Sequence, residues 1–146
     1  MGNKERVAVL IVEKEFAGLE VISDFVQRMC SQAKIGFKKT WELMLSIDEI
    51  CPTLITCSYN DGQFIRVIWV SSENKVQVKI EENGSPFNPL KNFNEEDAIY
   101  GLGPQIIETM VDEAKYEREN NFNCILITKK IRKKTVKVIH RRLENG

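Results

Sequence analysis

Histidine is nearly missing from this sequence. The single one, His140, stands in a basic carboxy-terminal stretch, and Cys30, Cys51, Cys57 and Cys124 form no Cys-x-x-Cys pair. A zinc site built from Cys and His therefore has little to draw on. The cysteines read as reduced thiols, with Cys30 and Cys51 on apolar helical faces where a thiol behaves as a small hydrophobe. Net charge is missing as well: 21 Lys plus Arg balance 21 Asp plus Glu, which removes any global electrostatic argument for nucleic acid or an anionic membrane surface. No apolar run approaches the roughly 20 residues of a transmembrane helix. The run Val7 to Val12 is too short and too soon interrupted for a signal peptide, and Arg6 stands where a myristoylation pattern wants Ser or Thr. A cytoplasmic protein with no membrane or nucleic-acid partner is the expectation.

What is present suffices for one domain. At 146 residues and 42% hydrophobic content, the chain can bury a core, and residues 1–146 are read as a single unit whose residues 129–146 form a basic tail. That tail, from Lys129 to Arg142, follows the acidic clusters Glu81-Glu82 and Glu95-Glu96-Asp97. It has no interleaved aromatics on which bases could stack, so protein contact or solubility is the expected role. Arg6 to Lys14 reads as a strand suited to cover on both faces. From Phe16 the period becomes 3.6, with Leu19, Ile22, Val26, Met29, Cys30 and Ala33 on one stripe of a helix. A second helix, from about Lys38 to Tyr59, ends at Asn60-Asp61-Gly62 and contains Pro52, which predicts a kink. Phe64 to Ser71 and Lys75 to Glu82 form a hairpin around Ser72-Glu73-Asn74. Asn83 to Tyr100 is a long loop of the kind that carries function. A helix over Gly101 to Asp112 and two strands, near 114–119 and 123–130, complete the chain.

Three segments carry candidate chemistry. On the second helix Glu49 and Thr53, four apart, share a polar face. A strand ends in Glu82-Asn83-Gly84, and Gly101-Leu102-Gly103 opens a helix, where free backbone N–H groups can face an anion. Alone, Glu49 reads as an exposed helix carboxylate and the glycines as turn and cap residues. Their order and spacing say more: an acid at a strand end can accept an adenine amino group, a glycine admits the base, and a glycine-flanked helix start faces phosphates.

In that order the segments resemble the GHKL, or histidine kinase-like, ATP-binding domains, and most closely the anti-sigma-factor serine kinases. LSIDEICPTLITCSY (Leu45 to Tyr59), IEENGSPFNPL (Ile80 to Leu90, with Gly84, Phe87, Asn88 and Pro89 in register) and GLGPQIIETMVDEAKYE (Gly101 to Glu117) carry the resemblance. It implies a Bergerat-type α/β sandwich with a mixed, mostly antiparallel sheet and helices on one face. It also implies ATP and Mg2+ as cofactors, Glu49 as general base, and base or phosphate contacts from Glu82, Gly84, Phe87, Gly101, Leu102 and Gly103. The implied partners are a small antagonist protein phosphorylated on serine, a sigma factor, and a second copy in a homodimer.

Departures from the family pattern cluster in the same place. Thr53 replaces an Asn that binds magnesium, Glu82 replaces Asp, Tyr100 replaces a frequent glycine, and Pro104 removes a possible phosphate-facing N–H while suiting the first turn of a helix. Two readings therefore stand: an ATP-dependent serine kinase with a degraded magnesium site, and a protein-binding module without phosphoryl transfer. His140 lacks the helical context of a phosphorylated histidine and reads as a solvated tail residue.

Overall fold

A computed structural model describes residues 5–57, 62–91 and 103–131. The acidic cluster Glu95-Glu96-Asp97, Tyr100, Gly101, Leu102 and the tail from Arg132 onward, His140 included, lie outside the described residues, as do Tyr59, Asn60 and Asp61. Eight elements follow one another: β1 (Arg6–Glu13), α1 (Ala17–Gln32), α2 (Phe37–Cys57), β2 (Phe64–Ser71), β3 (Lys75–Glu82), α3 (Gly103–Met110), β4 (Glu113–Glu119) and β5 (Phe122–Lys130). The strands form one sheet in the order β1-β2-β3-β5-β4. Every neighbouring pair is antiparallel, so the mixed sheet expected from resemblance is wholly antiparallel among the described strands.

Alternation along the strands decides where the core lies. The register lines up inward residues in rows across the sheet: Leu10, Val67, Ile80, Ile125 and Tyr116 form one, and Ala8, Trp69, Val78, Ile127 and Ala114 the next. Against these rows pack Ile22, Val26, Met29 and Cys30 of α1, Leu43, Ile47, Ile50, Cys51 and Leu54 of α2, and Ile107 of α3. The flanking rows are polar. At one end Val12 and Ile65 are followed by Glu82, Asn123 and Arg118; at the other Ser71 and Val76 are followed by Lys129.

Among the described residues, helices cover only one face of the sheet. Val7, Val9 and Ile11 on the edge strand β1 are 64%, 53% and 58% exposed, which corrects the reading of this run as covered on both sides. Pro52 does not interrupt α2, which runs unbroken from Phe37 to Cys57. An interior proline costs about 3 kcal/mol. Complete burial of its neighbours Ile50 and Leu54, at about 1.5–3 kcal/mol for each large apolar side chain, outweighs that.

Local geometry sets the joints. Helix α1 ends with Lys34 left-handed (φ 57°), where the Ile35 N–H reaches the Cys30 carbonyl at 3.0 Å and closes the last turn. Between β4 and β5, Asn120 and Asn121 take φ of 51° and 67°. Both being positive is the requirement of a two-residue type I′ hairpin turn, which Asn tolerates better than most residues. Lys129 and Lys130, where the expected strand over 123–130 and the basic stretch overlap, are strand residues of β5.

Candidate functional site

Three elements bring their polar parts to one end of the sheet. Helix α2 starts near the opposite end, where Lys39 donates to the Lys130 carbonyl and Lys129 donates to Glu42 at 2.8 Å. Thr53 lies eleven residues beyond Glu42, a rise of roughly 16 Å, and the chain then re-enters the sheet at Phe64, beside the row that holds Glu82. Helix α3 runs the other way, ending where the Met110 carbonyl accepts from Lys129. Its Gly103 start therefore faces the Glu82 end. A cavity of about 380 Å³ between α1 and α2, bordered by Ile35, Phe37, Trp41 and Met44, belongs to the opposite end, where α2 begins.

Glu82 is the fourth inward position of β3 after Val76, Val78 and Ile80, and it has no exposed surface. A buried carboxylate persists only with partners, and among the described residues it has two. Asn123 donates its Nδ2 to Oε1 at 2.8 Å, and Lys14 donates Nζ to Oε2 at 2.9 Å. The Lys14 side chain is itself only 4% exposed. Gly62 closes over the pair: a Cβ there would stand 2.3 Å from Glu82 Oε2 and 2.8 Å from Lys14 Nζ, so any larger residue would have to displace these side-chain ends.

Asn123 fills its hydrogen-bonding capacity. Besides Glu82 it donates to the Ser85 carbonyl at 2.8 Å, and its Oδ1 accepts the Phe87 N–H at 2.9 Å and the Tyr116 hydroxyl at 2.6 Å. Burial pushes the Tyr116 phenol up, which keeps it a donor. Arg118 Nη1 holds the Gly84 carbonyl at 2.7 Å. Asn83 Oδ1 accepts from the N–H groups of Gln63 and Phe64 at 2.8 and 3.2 Å. The start of the long loop, with Gly84 and Phe87, is thus fastened to β2, β4 and β5 through side chains that leave few backbone groups unmet.

On α2, Glu49 and Thr53 are both partly buried. The Thr53 hydroxyl donates to the Glu49 carbonyl at 2.8 Å, one turn back. Ser46 and Thr56 do the same toward Glu42 and Pro52 at 2.9 and 3.0 Å, so the hydroxyls of this polar stripe answer their own helix backbone. Among the described residues no group of three or more His, Cys, Asp or Glu side chains could hold a metal ion. Of the residues that the resemblance assigns to an adenine nucleotide, Gly84, Phe87 and the start of α3 lie at this end of the sheet, whereas Glu82 already carries an internal cation.

The structure therefore joins Glu82 and Phe87 through Asn123 and holds Gly84 beside them through Arg118, and places Glu49, Thr53 and Gly103 on helices that converge there. Gly101 and Leu102 lie outside the described residues. Lys14, Gly62, Tyr116, Arg118 and Asn123 escaped the sequence reading. A signal existed for Asn123: in a strand that alternates inward to Ile125 and Ile127, a polar residue at the preceding inward position needs a polar partner.

Comparison with known proteins agrees with this architecture. No curated protein matches the sequence. The RsbU and RsbW domains of Rv1364c from Mycobacterium tuberculosis share the fold, at a TM-score of 0.66 over 86% of this chain and 11% identity. The chain spans 32% of that protein's length. No described helix is long and apolar enough to cross a membrane. The histidine kinase-like ATPase domain family matches residues 12–129. That match runs from the end of β1 into the end of β5, through every element of the convergent end, and the chain belongs to the histidine kinase-like ATPase domain family.

Proposed function

We propose that this domain is an ATP-binding regulator of the anti-sigma-factor serine kinase type, which holds a sigma factor or a small antagonist protein in bacterial partner switching. The observation that supports it most is the convergence of Glu82, Gly84, the polar stripe of α2 and the start of α3 at one end of the sheet, in a member of an ATPase family. In this reading Gly84 and Phe87 border the base and Glu82 accepts its amino group. Gly101, Leu102 and Gly103 present backbone N–H groups to the phosphates, and Glu49 takes the proton of a substrate hydroxyl as general base. Magnesium, when bound, neutralises charge developing on the phosphates. Thr53 offers it a short hydroxyl whose proton is already given to the Glu49 carbonyl, and magnesium demands near-ideal octahedral geometry. That hydrogen bond favours a second reading, a partner-binding module in which phosphoryl transfer is lost.

Calorimetric titration with ATP, with and without Mg2+, followed by phosphate transfer to a serine-bearing antagonist protein, separates the two. The kinase reading expects binding and transfer, with transfer abolished in Glu49→Gln. Binding without transfer leaves the module. No heat at millimolar ATP removes the nucleotide altogether. Thr53→Asn is expected to raise the magnesium-dependent affinity or any transfer, and an unchanged metal response would show that this position has no part in holding the metal.

A further inference from the structure

We infer that Lys14 acts as an internal competitor for the base at this site: its ammonium occupies Glu82, and must leave before the carboxylate can accept an adenine amino group. This rests on the nucleotide reading above and concerns how that site is regulated. Three observations carry it. First, both Glu82 oxygens are engaged, by Asn123 at 2.8 Å and by Lys14 at 2.9 Å. Second, the side chains of Lys14 and Glu82 are 4% and 0% exposed, and Gly62 stands so close that even a methyl group there would overlap Glu82 and Lys14. With the ammonium in place no face of the carboxylate is left for a ligand. Third, Lys14 is placed by the fold. It continues the inward series Ala8, Leu10, Val12 of β1, and its own N–H donates to the Gln63 carbonyl at 3.0 Å, so the strand end aims it at β3.

The chemistry favours the internal partner. An ammonium facing a carboxylate adds the attraction of opposite charges to its hydrogen bond, and the exocyclic amine of adenine, being neutral, does not. A nucleotide must also bear the cost of parting a buried pair. Only molecules with Lys14 withdrawn are competent, so the apparent affinity falls by the competent fraction. Lys14 thus sets how strongly this domain responds to adenine nucleotides without touching the phosphates or the reacting atoms.

The test compares wild type, Lys14→Met and Lys14→Gln by calorimetry with ADP and with purine riboside diphosphate, which lacks the amino group. Thermal melts and circular dichroism confirm that each variant is folded. Methionine keeps the length of the stem and removes the charge; glutamine keeps a neutral donor and covers the case in which the methionine variant does not fold. ADP is expected to bind Lys14→Met at least tenfold more tightly than wild type, with Lys14→Gln between them, and the gain should vanish with the deamino analogue. Equal ADP affinity in wild type and the folded variants overturns the inference and leaves the nucleotide reading intact. An equal gain for both nucleotides also overturns it, since Lys14 would then act on something other than the amino group. Failure of every protein to bind either nucleotide refutes the nucleotide reading itself.

Discussion

The inner face of the sheet buries a lysine–glutamate pair at each of its two polar ends, and the two pairs differ in what else they serve. Lys129 meets Glu42 at 2.8 Å and also the carbonyl of Met110, the last residue of α3. Carbonyls in the last turn of a helix have no helical donor, and a cation there suits the helix dipole. This pair thereby ties α2, α3 and β5 together, and with Glu42 still 16% exposed it retains some water. Lys14 meets Glu82 at 2.9 Å with the carboxylate wholly buried, and among the described residues it is held from a strand end and by an inward asparagine. One pair finishes a scaffold. The other sits on the acceptor of the candidate site, where an apolar row could have continued.

The comparison can be broken most directly at Glu82. Glu82→Ala leaves Lys14 buried without its counter-charge and Asn123 short of an acceptor, and should cost about 3–5 kcal/mol, read from urea unfolding. Lys129→Met should cost less, about 2 kcal/mol, because Glu42 can rehydrate while the α3 carbonyl loses a donor. A Lys129 variant less stable than the Glu82 variant would reverse the contrast.

Alkaline titration tests the dry layer between the ends. Burial pushes the Cys30 thiol up to about 11 and, with Asp48 adding to it, the Cys51 thiol up to about 12, from an ordinary value of 9.0. Unfolded thiols ionise first, so the stability these protonated thiols give is intact below pH 9 and is lost as pH rises from 9 toward 11–12. At pH 10 the loss is about 1 kcal/mol per thiol. Melting temperatures between pH 8 and 10.5 should fall accordingly, and less steeply in Cys30→Ala. The smallest effect belongs to the next residue along the strand. Glu81 lies on the other side of the sheet, its side chain 11% exposed, and pairs with Arg66 and Lys79, whose side chains are 31% and 35% exposed; those cations keep their water when the acid is removed, so Glu81→Ala should cost about 1 kcal/mol. A loss matching that of Glu82→Ala would mean that the burial of the partner cation is not what separates the two acids.

How much of this was legible depended on what each residue's signal could encode. The β2–β3 hairpin was readable to the residue, because alternation and a Ser-Glu-Asn turn name both faces and the break. Glu82-Asn83-Gly84 stood out as a motif, and its position at a strand end held. The run in β1 misled because apolar residues on both sides of a strand state a preference for burial without saying what covers them, and Val7, Val9 and Ile11 remain open at the edge. Lys129 and Lys130 fall both in the strand expected over 123–130 and in the basic run, because charge in a run competes with alternation, and the strand is what forms. Lys14 was least legible: its partner lies 68 residues away, and only the sheet register makes them neighbours.

That separation also orders events in time. The β4–β5 hairpin closes over the two residues Asn120 and Asn121, and loop-closure entropy favours such short loops over long ones. Asn123, at the head of β5, meets Glu82 across 41 residues, and Lys14 meets it across 68. Pulsed hydrogen exchange should therefore find amides of β2 to β5 protected before those of β1, and the reverse order would refute this sequence. The strand that completes the sheet is then also the strand that brings Lys14 to the acid beneath it, so a chain folded but for β1 would hold Glu82 without its cation.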